Sequence, residues 1–152
     1  MAKRRIEDFQ KNKVFAWQRS AFTHAEHYQG SLSLEECADM AAKMYGARVI
    51  VKKGREGTSA MARISKKQAT ITLPSWAMNP MVVAHEVAHW HNYRFCKSSS
   101  AHGGVFMYFY IDLLARFCGK DAEALTKSAL EFGLRVTRPM GLKLDQPEQK
   151  AA

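Results

Sequence analysis

Two short runs hold the residues best suited to chemistry: His85-Glu86-Val87-Ala88-His89 and, further along, His102-Gly103-Gly104-Val105-Phe106. On a helix, side chains four residues apart stand one turn apart on the same face. The imidazoles of His85 and His89 can therefore reach a single cation. Glu86 is rotated by one residue step from that face. It can contact a water molecule there without occupying a metal position, which suits a general base. The H-E-x-x-H pattern thus points to two metal ligands and a proton acceptor.

A catalytic zinc needs three protein ligands and an open position. A third histidine at the metzincin spacing would stand where the chain has Phe95, and no glutamate lies between Glu86 and Glu123. His102 is the better third ligand. Asp112 is the alternative, disfavoured because Arg116 at i+4 can pair with it. Asp112 can instead orient a ligating histidine from behind.

These residues need a rigid helix under them. Asn79-Pro80 supplies an N-cap and a proline at the first helical position, and the helix runs to about Phe95. The pattern predicts an amphipathic helix whose back (Val83, Val87, Trp90) packs on the core while Met81, His85 and His89 face the other way. A second helix, about Val105 to Cys118, is apolar almost all round and should be buried. Asp121 can cap a last helix with a stripe at Ala122, Leu125, Ala129 and Phe132. Ahead of the motif, the stripe Val14, Phe15, Trp17, Ala21 and Phe22 predicts a helix from Val14 to about Tyr28. His24 and His27 lie within it, with no third ligand at useful spacing. Ser33-Leu34-Glu35-Glu36 reads as a capping box opening a helix that stops at Gly46. Between Arg48 and Leu73 three β-prone runs separated by turns predict a three-stranded antiparallel meander. The expectation is an α+β fold over 1–152 as a single domain, with a basic arm at 1–13 and a flexible tail at about 140–152.

With apolar residues at 47% of the sequence, the chain has the composition of a folded protein and not of a disordered one. No apolar run is long enough to span a membrane. The N-terminal stretch turns acidic at Glu7-Asp8, where a secretory signal would be apolar, so a cytoplasmic location is expected. Cys37, Cys96 and Cys118 form no C-x-x-C pair, which excludes a thiolate zinc knuckle and a dithiol redox motif. Reduced structural thiols fit a reducing compartment. The net charge of +9 favours anionic partners, and its densest part is the Arg48–Lys67 region together with the arm. Charge alone leaves a nucleic-acid surface and a merely solvated face both open.

The combination His85-Glu86-Val87-Ala88-His89 with Ala101-His102-Gly103-Gly104-Val105-Phe106 resembles the HExxH…HGxxF signature of SprT-like and related small zinc peptidases. The resemblance extends to short metallohydrolases of bacteria and phages. They carry segments similar to Val14-Phe15-Ala16-Trp17-Gln18, Leu32 to Cys37, Leu73 to Ala77 and Tyr110 to Phe117. It implies a compact zincin-like fold, zinc as cofactor, His85, His89 and His102 as ligands, Glu86 as catalytic base, and a peptide or protein substrate. If the chain is phage-encoded, the host cytoplasm is its expected location. One departure is the Gly104-Val105 pair where the resembling sequences carry Pro-Glu. In zincins the substrate lies along an edge strand, here expected at Thr70–Leu73, and Tyr108 or Tyr110 is considered for oxyanion support. Two rival readings stand beside the peptidase: a nucleic-acid-associated protein with a mainly structural zinc, and a zinc amidohydrolase acting on a non-peptide substrate.

Overall fold

The computed structural model describes residues 8–65, 68–95 and 100–140. The elements follow in the order α1 (Lys11–Ala21), α2 (His24–Tyr28), α3 (Leu34–Tyr45), β1 (Ile50–Lys53), β2 (Met61–Ser65) and β3 (Gln68–Leu73). A 3-10 turn at Ser75–Ala77 then leads into α4 (Pro80–Phe95), α5 (Gly104–Phe117) and α6 (Ala122–Glu131). The class is α+β. Cys96 and residues 141–152 of the expected tail lie outside the described residues.

Local chemistry explains most of the helix ends. Ser33 Oγ accepts from the Glu36 amide while the Glu36 carboxylate accepts from the Ser33 amide, at 3.0 Å each way. That is the capping box expected for α3. Asp121 caps α6 by accepting from the Glu123 and Ala124 amides. The single helix expected over Val14 to Tyr28 is in fact two. Phe22 is extended, and Thr23 with Glu26 closes a second capping box that starts α2 afresh. Thr23-His24-Ala25-Glu26 is itself a legible capping sequence, overridden in the expectation by the apolar stripe.

The sheet departs from the antiparallel meander. Its order is β1-β3-β2: β2 pairs antiparallel with β3, whereas β1 pairs parallel with it, Ile50 opposite Thr70 and Lys53 opposite Leu73. The physical reason lies in β3. Its alternate residues Ala69, Ile71 and Leu73 are buried, so its backbone polar groups need partners on both sides. β1 and β2 carry less buried surface and take the two edges. The segment between them crosses the end of β3, held by Gly54 N–H donating to Leu73 O and by Trp76 Nε1 donating to Thr58 O.

Helix α4 is not amphipathic. From Met81 to Ala88 every residue is buried, because α2, α3, α5 and β2 enclose the helix. Ala84 and Ala88 are small enough to let those neighbours close in. Its N-terminus is fixed as expected. Asn79, fully buried, accepts from the Val82 amide through Oδ1 and donates to the carbonyls of His27, Gln29 and Trp76. Against α4 lies α5, whose Phe106, Met107, Tyr110, Leu113 and Leu114 are among the most buried side chains.

Residues 1–7 of the expected N-terminal arm lie outside the described residues, and the rest of it is tied to the body. Gln10 donates to His102 O and accepts from Arg135 N–H, tying the start of α1 to two distant segments. Past Gly133 the chain also stays on the body: Leu134 is buried, and Thr137 N–H donates to Gly104 O. No helix among the described residues is long and apolar enough to cross a membrane.

Candidate metal centre

His85 and His89 sit on consecutive turns of α4, and His102 stands at the entry to α5. The structure brings all three together. His85 Nε2 lies 3.2 Å from His89 Nε2 and 3.4 Å from His102 Nε2, so three ring nitrogens converge on one point. One ligand atom from each lies within 4.8 Å of the others. Such a cluster can hold a metal ion.

Two phenylalanines hold the rings in place. Phe106, four residues after His102, packs against all three imidazoles, with centroid distances of 5.0 Å to His85, 4.6 Å to His89 and 5.0 Å to His102. Phe15 of α1 stacks on His85 at 5.8 Å and touches His102 at 5.4 Å. Apolar walls limit the ring rotamers.

Behind the rings, the other nitrogens have partners of the kind metal-binding histidines use. His102 Nδ1 lies 2.7 Å from Asp8 Oδ2, and the His102 amide and Ser100 Oγ both donate to Asp8 Oδ1. His89 donates to the Ala101 carbonyl. His85 Nδ1 is buried without a partner among the described residues. Asp8 is the residue that sequence reasoning missed. It lies far from the motif in the chain, inside the supposed arm, and no local signal marks it. Asp112, considered for ligation or for orienting a ligand, does neither. It pairs with Arg116 at 3.2 Å on an exposed helix face. His91 turns away and contacts Met44 O, while His27 lies against Gln18 in the same cleft as the three histidines.

Electrostatics suit a cation. Burial pushes the pKa of His85 well below the ordinary value, and the neighbouring His89 and His102 push it further; burial brings His89 to about 3. Burial also lowers His102, against an opposing pull from Asp8. All three rings are therefore neutral at neutral pH, the form that binds metal. For Asp8, burial opposes the charge, but hydrogen bonds from His102 and Ser100 outweigh it and the carboxyl lies below its usual value. Glu86 is buried, and burial raises it to about 8 against a hydrogen bond from the Ala62 amide. Among the described residues no cationic side chain pairs with Glu86. A cation beside the three imidazoles is the charge that would bring this carboxyl back to its ionised form.

The centre opens into a cleft of about 670 Å³, lined on one side by Met61, Ala62 and Ile64 of β2 and on the other by residues of α4 and the 101–102 segment. This alters the expected substrate strand: Thr70–Leu73 is central and fully paired, and the edge strand at the cleft is β2. Two contacts fix β2 there, the Ala62 amide to Glu86 and Trp90 Nε1 to Arg63 O at 3.2 Å. The tyrosines considered for oxyanion support also fall elsewhere. Tyr110 is fully buried and donates to Met81 O. Tyr93 and not Tyr108 lines the cleft.

No protein-family model matches the chain, and neither curated proteins nor solved structures show a significant similarity to it. The centre therefore stands on its own geometry.

Proposed function

We propose that this chain is a zinc-dependent metallopeptidase of zincin type, with His85, His89 and His102 holding the metal and Glu86 as general base. The observation that supports the reading is that a buried carboxyl group, one residue from His85, lines the same cleft as three converging imidazole nitrogens, with a strand along its edge. Among the described residues the cluster has three neutral nitrogen donors, no thiolate and no fourth protein ligand, which matches a catalytic site more closely than a closed structural one.

When bound, zinc supplies Lewis acidity: it lowers the pKa of water at its open position and polarises a carbonyl oxygen. Glu86 accepts a proton as the water oxygen bonds to the substrate carbonyl carbon. It returns that proton to the nitrogen as the C–N bond breaks, leaving a carboxylate and an amine. Ala62 N–H orients the carboxylate for both transfers. Phe15 and Phe106 limit the rotamers of the ligand rings. β2 has no strand partner on its cleft side among the described residues, so an extended peptide can be laid along it, which favours peptides over non-peptide amides.

Metal analysis and peptide hydrolysis on the wild type and Glu86→Gln test this together. The expected result is about one zinc per chain in both, with hydrolysis of a fluorogenic peptide library reduced by roughly 10²- to 10⁴-fold in the variant. Undiminished hydrolysis by Glu86→Gln would refute the mechanism.

A further inference from the structure

Three side-chain atoms are buried without a hydrogen-bond partner among the described residues: His85 Nδ1, Gln18 Oε1 and His27 Nδ1. Buried polar atoms of this kind call for an explanation. If His85 gives Nε2 to a metal, its Nδ1 carries a proton and must donate. The carbonyl one turn earlier on α4, Met81 O, is already taken. It accepts the helical bond from the His85 amide and a second bond from the Tyr110 hydroxyl at 3.3 Å.

Gln18 has the complementary defect. Tyr110 spends its single proton on Met81 O, so its oxygen accepts from the Gln18 amide nitrogen, 3.3 Å away. The same nitrogen lies 3.4 Å from His27 Nε2. Both amide protons are thereby used, and Oε1 is left as an acceptor with nothing to accept. Gln18 and His85 line the same cleft and share neighbours. It stands one turn after Phe15, which stacks on His85, and its partner Tyr110 meets the His85 ring edge-on at 5.3 Å. Both bonds that hold Gln18 are long, so its amide is loosely fixed.

We infer that Gln18 is the positioning residue for His85, its Oε1 accepting the Nδ1 proton when the centre holds its metal. This rests on the metal reading of the three histidines. It completes a pattern: His102 donates to Asp8, His89 to Ala101 O, and His85 to Gln18. One hydrogen bond then satisfies two buried atoms that are otherwise orphaned. It also links the metal to α1, since the third wall of the site is built from Phe15 and Gln18 of that helix.

The test is zinc affinity by chelator competition on the wild type, Gln18→Met and Gln18→Glu, with the imidazole N–H protons of the zinc-loaded wild type followed by NMR. Gln18→Met keeps the shape and loses the acceptor, and should bind zinc about 10- to 100-fold more weakly. Gln18→Glu keeps an acceptor and should stay within about threefold of the wild type, a rescue that a merely space-filling role would not give. In the wild type, the His85 Nδ1 proton should exchange slowly with water. A folded Gln18→Met that binds zinc as the wild type does overturns the inference alone. So does rapid exchange of the His85 Nδ1 proton, which needs no variant to fold. A wild-type chain that takes up no zinc overturns the metal reading and this inference with it.

Discussion

Replacing Asp8 by asparagine is the sharpest probe of how the metal centre is built. In the native chain Asp8 Oδ1 accepts from Ser100 Oγ at 3.0 Å and from the His102 amide at 3.2 Å, and Oδ2 faces His102 Nδ1 at 2.7 Å. Asparagine can keep the first two with its carbonyl oxygen. Its NH₂ group must then face a His102 nitrogen that carries a proton whenever Nε2 is committed to a metal. A donor meets a donor, and the negative charge that favours His102 as a ligand is gone. Loss of such a partner weakens metal binding by about 10- to 100-fold. The Asp8 side chain is 24% exposed, so water can replace part of what is lost. We therefore expect the lower part of that range, about 10- to 30-fold, or roughly 1.4–2 kcal/mol. The assay is competition for zinc against a chromophoric chelator at neutral pH, with circular dichroism to verify folding. Asp112→Ala is the matched control: an exposed carboxylate paired with Arg116 should leave zinc affinity unchanged. A folded Asp8→Asn that binds zinc within twofold of the wild type would refute the reasoning, as would a large loss in Asp112→Ala.

Two further outcomes follow from the packing. A Cβ on Gly104 would meet Thr137, whose own Cβ would lie only 2.9 Å away and whose backbone N–H is bonded to Gly104 O. Gly104→Ala should therefore cost about 1–3 kcal/mol of stability, although alanine is ordinarily the better helix former; an unchanged or raised melting temperature would contradict this. His27 is buried, and burial lowers its pKa to about 4 from an ordinary 6.5. The unfolded chain takes up that proton first as pH falls, so stability present above pH 6.5 is lost towards pH 4, by up to about 3 kcal/mol. Denaturant melts of the metal-free chain and of His27→Gln should show a shallower acid loss in the variant, and parallel curves would rule the idea out.

What the sequence alone determined is whatever depends on near neighbours along the chain. The caps at Ser33, Asn79 and Asp121, the helical placement of His85 and His89 on one face, and the buried character of α5 all arise from contacts within a turn or two. His102 was legible because a ligand-competent residue opens the next helix. The tertiary structure alone decided the rest. Asp8 reaches His102 across most of the chain, and Phe15 reaches His85 from another helix. No local periodicity encodes such meetings. The sheet order was likewise undetermined, because β-propensity marks strands but not which of them needs partners on both edges. That was settled by the burial of Ala69, Ile71 and Leu73, which put β3 in the middle and left β2 as the edge beside the metal centre.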